Sequence, residues 1–276
     1  MIGQVALRNR IDNLINTHKF PVFSIIAGPK DSGKRTLCKY ISEKLNADIF
    51  YFENKIDDIH NFIEIANNQN RKVIYVLQDI DTASNNVKNA LLKIIEEPVK
   101  HSIIILLCNN KDQLLSTIRS RGVLFELSPY SHDELIQWVN ESKTEIVDLN
   151  NCLKVCSYIG ELKNAASVNV SELLEYAEKI INNINKSTLS NSLKISHKLK
   201  LTEADEGYDL KLFLNCLSYK LVELGKTITD PNVFNKYISF INLIQEVQNA
   251  LNLKAVNKKY LLDEFIIKAY IIFMRR

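Results

Sequence analysis

Glycine and proline are scarce in this chain of 276 residues, 7 and 5 respectively, which argues against a turn-dense β protein and for one rich in helix. Long apolar runs are missing too. Stretches such as Ile103–Cys108 fall far short of the roughly 18 residues that cross a bilayer, so no membrane span is expected. The opening, Met1 to Val5, leads into charged sequence without the apolar core of a signal peptide, and a cytoplasmic location is expected. Charge of one sign is also lacking. The 35 basic and 32 acidic side chains leave a formal +3, too little by itself to imply a nucleic-acid partner. The five cysteines include one close pair, Cys152 and Cys156, with no second CxxC or histidine pair beside it. His18, His60, His101, His132 and His197 are scattered. Reduced thiols and no zinc site follow.

What is present is ordinary globular usage, 46% hydrophobic and 24% charged, which sets aside disorder, collagen and coiled coil. The length suggests two or three domains. Val22–Ala27 is a β-branched apolar run ending at Gly28, and after Gly33 Leu37, Tyr40, Ile41 and Leu45 share one helical face. Apolar runs recur at Val73–Leu77, Ile103–Cys108 and Val123–Leu127. Between the first two of these, Val87, Ala90, Leu91, Ile94 and Ile95 form a helical pattern stopped by Pro98. Fully apolar strands alternating with amphipathic helices predict a parallel sheet covered on both faces. After Pro129 the pattern is helical throughout, over 132–142, 145–157, 161–168, 171–183, 187–200, 208–227, 232–250 and 258–274. A second junction is expected near Ser187–Gly207.

Gly28-Pro29-Lys30-Asp31-Ser32-Gly33-Lys34 fits G-x-x-x-x-G-K between a strand and a helix. There, backbone amides cradle phosphate and the lysine reaches the outer phosphates. Gly28, Ser32, Gly33, Lys34, Arg35 and Thr36 are the candidate nucleotide contacts. The residue after the lysine is normally a Ser or Thr that ligates Mg²⁺. Here it is Arg35, a cation that repels a metal, while Thr36 points roughly 100° away around the helix. The strand Val73–Leu77 ends in Gln78-Asp79 where two acidic residues usually hold the metal and polarise water. Gln78 is neutral; Asp79 keeps a carboxylate, and a register shift would make it the metal ligand. Two departures around one metal make ATP with Mg²⁺ a doubtful cofactor pair and point to weak or absent hydrolysis.

The run Asn89-Ala90-Leu91-Leu92-Lys93-Ile94-Ile95-Glu96-Glu97-Pro98 closely resembles the NALLKxLEEP helix of AAA+ clamp-loader subunits, the gamma and delta-prime family of DNA polymerase III. Ile2-Gly3-Gln4 resembles that family's GQ element. Asn109 and Asn110 are similar to its sensor-1 position. Thr117-Ile118-Arg119-Ser120-Arg121-Gly122 resembles its TIxSRC segment, with Gly122 replacing Cys. Ile159-Gly160-Glu161-Leu162-Lys163-Asn164-Ala165 resembles sensor 2, with Lys163 where Arg is common. Ala255-Val256-Asn257, followed by Leu261, Leu262, Phe265 and Ile266, is similar to the last collar helix. The zinc module of many bacterial relatives is absent between the P-loop and residue 72.

The resemblance implies an α/β P-loop AAA+ domain over 1–128, an all-α lid over 129–187 and an all-α C-terminal collar over 188–276. It implies that Arg121 is an arginine finger acting in trans, with Asp79 a degenerate Walker B and Asn109 a sensor. For Lys163 two readings stay open, a phosphate contact or a solvated lid lysine. The implied partners are other clamp-loader subunits, through the collar and the Arg121 face, the sliding clamp, and primer-template DNA held by the assembled ring. Two roles compete: a delta-prime-like subunit that hydrolyses little, and a gamma-like motor. A free-standing P-loop kinase for a small molecule leaves the collar-like helices without a role.

Overall fold

A computed structural model describes residues 2–54, 72–97, 102–185, 190, 210–251 and 257–274. They form two compact units. The first runs to Trp138 and includes Tyr158–Gly160; the second holds Val139–Ser157 and the chain from Glu161 onward.

The first unit is built on five parallel strands: β1 (Phe23–Ala27), β2 (Asp48–Phe52), β3 (Val73–Leu77), β4 (Ser102–Cys108) and β5 (Val123–Glu126), ordered β2-β3-β4-β1-β5. Every residue of β1, β3 and β4 is buried, as strands covered on both faces require. Alternate side chains supply two cores. Ile25, Tyr75 and Leu106 pack with Val87, Leu91, Ile94 and Ile95 of α3 (Asn85–Glu96). Ile26, Val76 and Ile105 pack with Ile11 of α1 (Val5–Asn16) and Leu37 and Ile41 of α2 (Lys34–Leu45). Three residues of the NALLK-like run are therefore core: Leu91, Ile94 and Ile95 fill a sheet face. Ser84 caps α3 by accepting from Val87 N; Pro98 lies outside the described residues.

Two elements are not evident in the sequence pattern. The edge strand β2 leaves Phe50 and Tyr51 exposed, so it shows no fully apolar run. α1 follows Gly3 and Gln4, both with positive φ. The ring of Tyr130 leaves no room for a side chain at Gly3, where a Cβ would lie 2.6 Å from it. Gln4 is buried, and its amide both donates to Ser128 O and accepts from Ser128 N, clasping the opening of the chain to the end of the sheet.

A short helix, α4 (Ser116–Arg119), leads to Gly122 and β5. A Cβ on Gly122 would stand 2.8 Å from both Phe23 and Ile25, so the packing of β1 explains why glycine occupies this position. Gly122→Ala is expected to destabilise the first unit by about 1–3 kcal/mol through overpacking, seen as a lower urea midpoint with an unchanged slope.

α5 (His132–Ser142) crosses the junction between the units. The second unit is helical, with α6 (Leu149–Val155), the greater part of α7 (Ile159–Asn164), α8 (Val170–Asn185), α9 (Leu210–Gly225), α10 (Pro231–Ala250) and α11 (Lys258–Met274). α9 buries Leu210, Phe213, Leu214, Leu217 and Leu221. α10 and α11 join through Phe240, which lies 5.5 Å from Phe265 and 5.7 Å from Phe273 between ring centroids. The same two helices leave Phe234, Ile238, Tyr260, Ile267, Ile271 and Met274 exposed. The helix predicted over 187–200 and the junction near 187–207 lie, but for Ser190, outside the described residues, as do Ala255 and Val256. All five cysteines are buried and unpaired, and burial pushes the Cys38, Cys108 and Cys216 thiols up to about 12. Such thiols are unreactive.

Candidate functional site

The P-loop runs from the end of β1 to the start of α2, at the carboxyl edge of the sheet, where open α/β folds place their ligands. Gly28 N donates to Cys108 O at 3.2 Å, holding the loop's first residue to β4. A Cβ on Gly28 would stand 2.8 Å from Ser32 Oγ, so glycine lets the loop close on itself. Gly33, at φ 98, begins α2 without a side-chain cap, which leaves helix N-terminal amides open to an anion. Ser32 is buried, and its hydroxyl has no partner among the described residues. Asp31, at φ 70, presents its carbonyl to Gly160 N at 3.2 Å.

Lys34 folds back across the loop. Its Nζ donates to Gly28 O at 2.6 Å, Pro29 O at 2.9 Å and Asn109 Oδ1 at 2.9 Å, which uses all three of its donors. Burial pushes this ammonium below the ordinary lysine value, while Asp79, Asp81 and Asp31 push the other way. Asn109, at the end of β4, is thereby brought beside the loop, and its Nδ2 lies 3.4 Å from Asp79 Oδ1. Lys34, Asp79 and Asn109 thus form one cluster.

Arg35 and Gln78 meet. Arg35 Nε donates to Gln78 Oε1 at 2.6 Å, and the guanidinium lies over the Tyr51 ring at 5.4 Å. Asp79 is exposed and adopts the left-handed conformation, with φ 50. Thr36 is exposed on α2, and Lys163 lies on α7 within the second unit.

The groups around the loop fit a phosphate chain: open amides, a buried hydroxyl and a lysine. At the positions that usually ligate a divalent cation the groups differ from that pattern. The place of a metal-ligating hydroxyl holds a guanidinium, and that guanidinium occupies the amide oxygen of Gln78. Among the described residues no group of three or more His, Cys, Asp or Glu side chains is placed to hold a metal, nor is any helix long and apolar enough to cross a membrane.

Asp81 is a residue that the motif reading passed over. It is buried, and its Oδ2 accepts from Asn109 N at 3.0 Å and Asn110 N at 3.1 Å, pinning the end of β4 to the turn after β3. Its carbonyl accepts from the buried Lys88 Nζ at 3.1 Å. The sequence signal was a second acidic residue two positions beyond Asp79.

Arg121 stands apart from this cluster, at the end of α4. Its Nη1 donates to Thr117 O at 2.8 Å and its Nη2 pairs with Glu96 Oε1 at 3.0 Å, with the side chain 42% exposed. Two segments that resemble one family, around Glu96 and around Arg121, are thus in direct contact.

A family model described as "DNA polymerase III, delta subunit" matches residues 36–131. The subunit gamma of DNA polymerase III from Buchnera aphidicola subsp. Schizaphis graminum is 24% identical over 260 residues, 82% of this chain and 71% of that protein. The subunit delta' from Buchnera aphidicola subsp. Baizongia pistaciae is 20% identical over 186 residues, 59% of this chain and 54% of that protein. Among solved structures, the Thermotoga maritima RuvB Holliday junction branch migration motor matches with a TM-score of 0.53 at 19% identity, over 95% of this chain and 88% of that one. This last likeness is one of fold. Together with the P-loop at the carboxyl edge of a parallel sheet and the NALLK-like helix packed on that sheet, these matches support membership of the AAA+ clamp-loader family of DNA polymerase III subunits.

Proposed function

We propose that this chain is a delta-prime-like clamp-loader subunit: a member of an AAA+ ring that loads a sliding clamp on primed DNA, hydrolysing little ATP itself and supplying Arg121 to a neighbour's ATP site. The observation that carries the reading is the Arg35–Gln78 hydrogen bond of 2.6 Å. It replaces the hydroxyl and carboxylate that hold Mg²⁺ in hydrolysing P-loop sites. Without a metal to neutralise charge on the transferred phosphoryl group, efficient turnover loses its main electrostatic support.

The boundaries proposed are 1–128 for the AAA+ domain, 129–187 for the lid and 188–276 for the collar. The exposed Phe234, Ile238, Tyr260, Ile267 and Ile271 of α10 and α11 suit the collar role, since exposed apolar clusters of this kind seek a partner surface. The proposed setting is the cytoplasm, and DNA would be met through the assembled ring.

The motor reading draws on a different observation. Lys34, Asn109 and Asp79 are linked by hydrogen bonds of 2.9 and 3.4 Å, and a relative matched over 82% of this chain is a gamma subunit. The two readings separate on turnover. With Mg²⁺, clamp and primed DNA, the purified chain is expected to hydrolyse ATP below about 0.01 s⁻¹, against the roughly 1–10³ s⁻¹ of ordinary enzymes. Turnover of about 1 s⁻¹ or faster that is lost in Lys34→Ala would replace the delta-prime reading with the motor.

A further inference from the structure

We propose that the Gly28–Gly33 loop binds the phosphate tail of a nucleoside di- or triphosphate without a divalent cation, with the Arg35 guanidinium supplying charge that a metal would otherwise bring.

Three observations at the loop point to an anion. α2 is 12 residues long and starts at Gly33 without a side-chain cap, so its first amides face the loop mouth with their share of the helix dipole. Ser32 Oγ is enclosed at 1% exposure with no hydrogen-bond partner among the described residues, and it stands 2.8 Å from where a Gly28 Cβ would be. A buried hydroxyl in that condition costs stability unless a ligand satisfies it. Lys34 Nζ is turned onto two loop carbonyls and Asn109, neutral acceptors that an anionic oxygen outcompetes.

Arg35 removes the need for metal. Its Nε is held by Gln78 and its guanidinium lies over the Tyr51 ring, which fixes the side chain of the residue that follows Lys34 on the first turn of α2. Among the described residues its two Nη groups make no hydrogen bond. They retain four N–H donors in a planar fork, the geometry that matches phosphate oxygens. Lys34 is shared with metal-using P-loops, so Arg35 brings one positive charge where Mg²⁺ brings two, and its planar N–H donors supply the remaining contacts. The guanidinium cannot ligate water for attack, so tight binding and slow turnover go together.

The inference rests on the delta-prime reading only in treating Arg35–Gln78 as a pair that excludes metal. Its test is calorimetry on the full chain with ATP, ADP and tripolyphosphate, in EDTA and in Mg²⁺. The wild-type Kd for ATP is expected to agree within about three-fold between the two buffers, and Arg35→Thr to weaken binding in EDTA by about ten-fold or more. The double variant Arg35→Thr/Gln78→Asp is expected to bind more tightly when Mg²⁺ is added. Arg35 is exposed, so melting curves should show these variants folded. Wild-type binding that requires Mg²⁺, no binding of any of the three probes, or Arg35→Thr binding as tightly as wild type in EDTA would each overturn the proposal. Turnover measured on the same samples separates the two readings. Mg²⁺-dependent binding without turnover removes this inference and leaves the delta-prime role. Metal-free binding accompanied by brisk turnover does the reverse.

Discussion

Arg121→Ala, placed in a reconstituted loader, is expected to slow turnover at the adjoining subunit's ATP site by about 10³-fold or more, the usual scale for an arginine that completes a phosphoryl-transfer site in trans. Its own fold should not suffer. The side chain is 42% exposed, and its pairing with Glu96 at 3.0 Å is of the exposed kind worth roughly 0–1 kcal/mol. Under the proposed trans role such a pair would cost little to break, and it and the Thr117 carbonyl at 2.8 Å hold the side chain in the structure. Arg121→Lys should rescue poorly, because an ammonium is a point charge and cannot form the planar bidentate contact. Glu96→Gln keeps the acceptor and loses the charge, so it should leave turnover within about three-fold of wild type, since the pair it weakens is worth little. The measurement is single-turnover hydrolysis in rings where only the adjoining site binds ATP. An unchanged rate for Arg121→Ala, in rings shown to assemble, would end the trans role.

Much of this arrangement is legible in the sequence, and the physical reasons separate what is from what is not. β1, β3 and β4 announce themselves because burial on both faces demands unbroken apolar runs, and Gly28, Gln78 and Asn109 punctuate their ends. β2 hides because an edge strand needs cover on fewer sides; Asp48, Phe50 and Tyr51 are exposed, and the period is lost. The strand order β2-β3-β4-β1-β5 depends on crossovers that no local pattern encodes. At the site, Arg35 and Gln78 can each be read from sequence as a departure from a metal-binding pattern. That they are one structural unit, stacked over Tyr51, cannot, because the three residues are distant in the chain and joined only by the sheet. Gly122 is similar. The sequence marks it as a departure from the family's Cys, and only the closeness of Phe23 and Ile25 explains it.

Asp81 should prove the most costly residue to truncate in the first unit outside its apolar core. Its carboxylate accepts from two consecutive backbone amides, Asn109 N and Asn110 N, at 3.0 and 3.1 Å. It does so from a buried position, where its second oxygen already lacks a partner among the described residues. Asp81→Ala removes the acceptor for both amides at once. Each unmet donor costs about 1–3 kcal/mol, so a loss of about 2–6 kcal/mol is expected, read as a lower urea midpoint with unchanged slope. Asp81→Asn keeps one carbonyl oxygen for the two amides and should cost about 1 kcal/mol, the worth of a weakened charge-assisted bond. The effect should also reach the P-loop. Asn109 is held by its amide to Asp81 and by its side chain to Lys34 and Asp79. Releasing its backbone loosens a side chain that spans the lysine and the acidic turn. Nucleotide affinity in Asp81→Ala should therefore fall even under conditions where the variant remains folded, whereas a purely structural anchor would lower stability and leave binding unchanged. Asp81→Ala within about 0.5 kcal/mol of wild type, the range of an ordinary surface substitution, would show that the β4 end holds its position without the carboxylate.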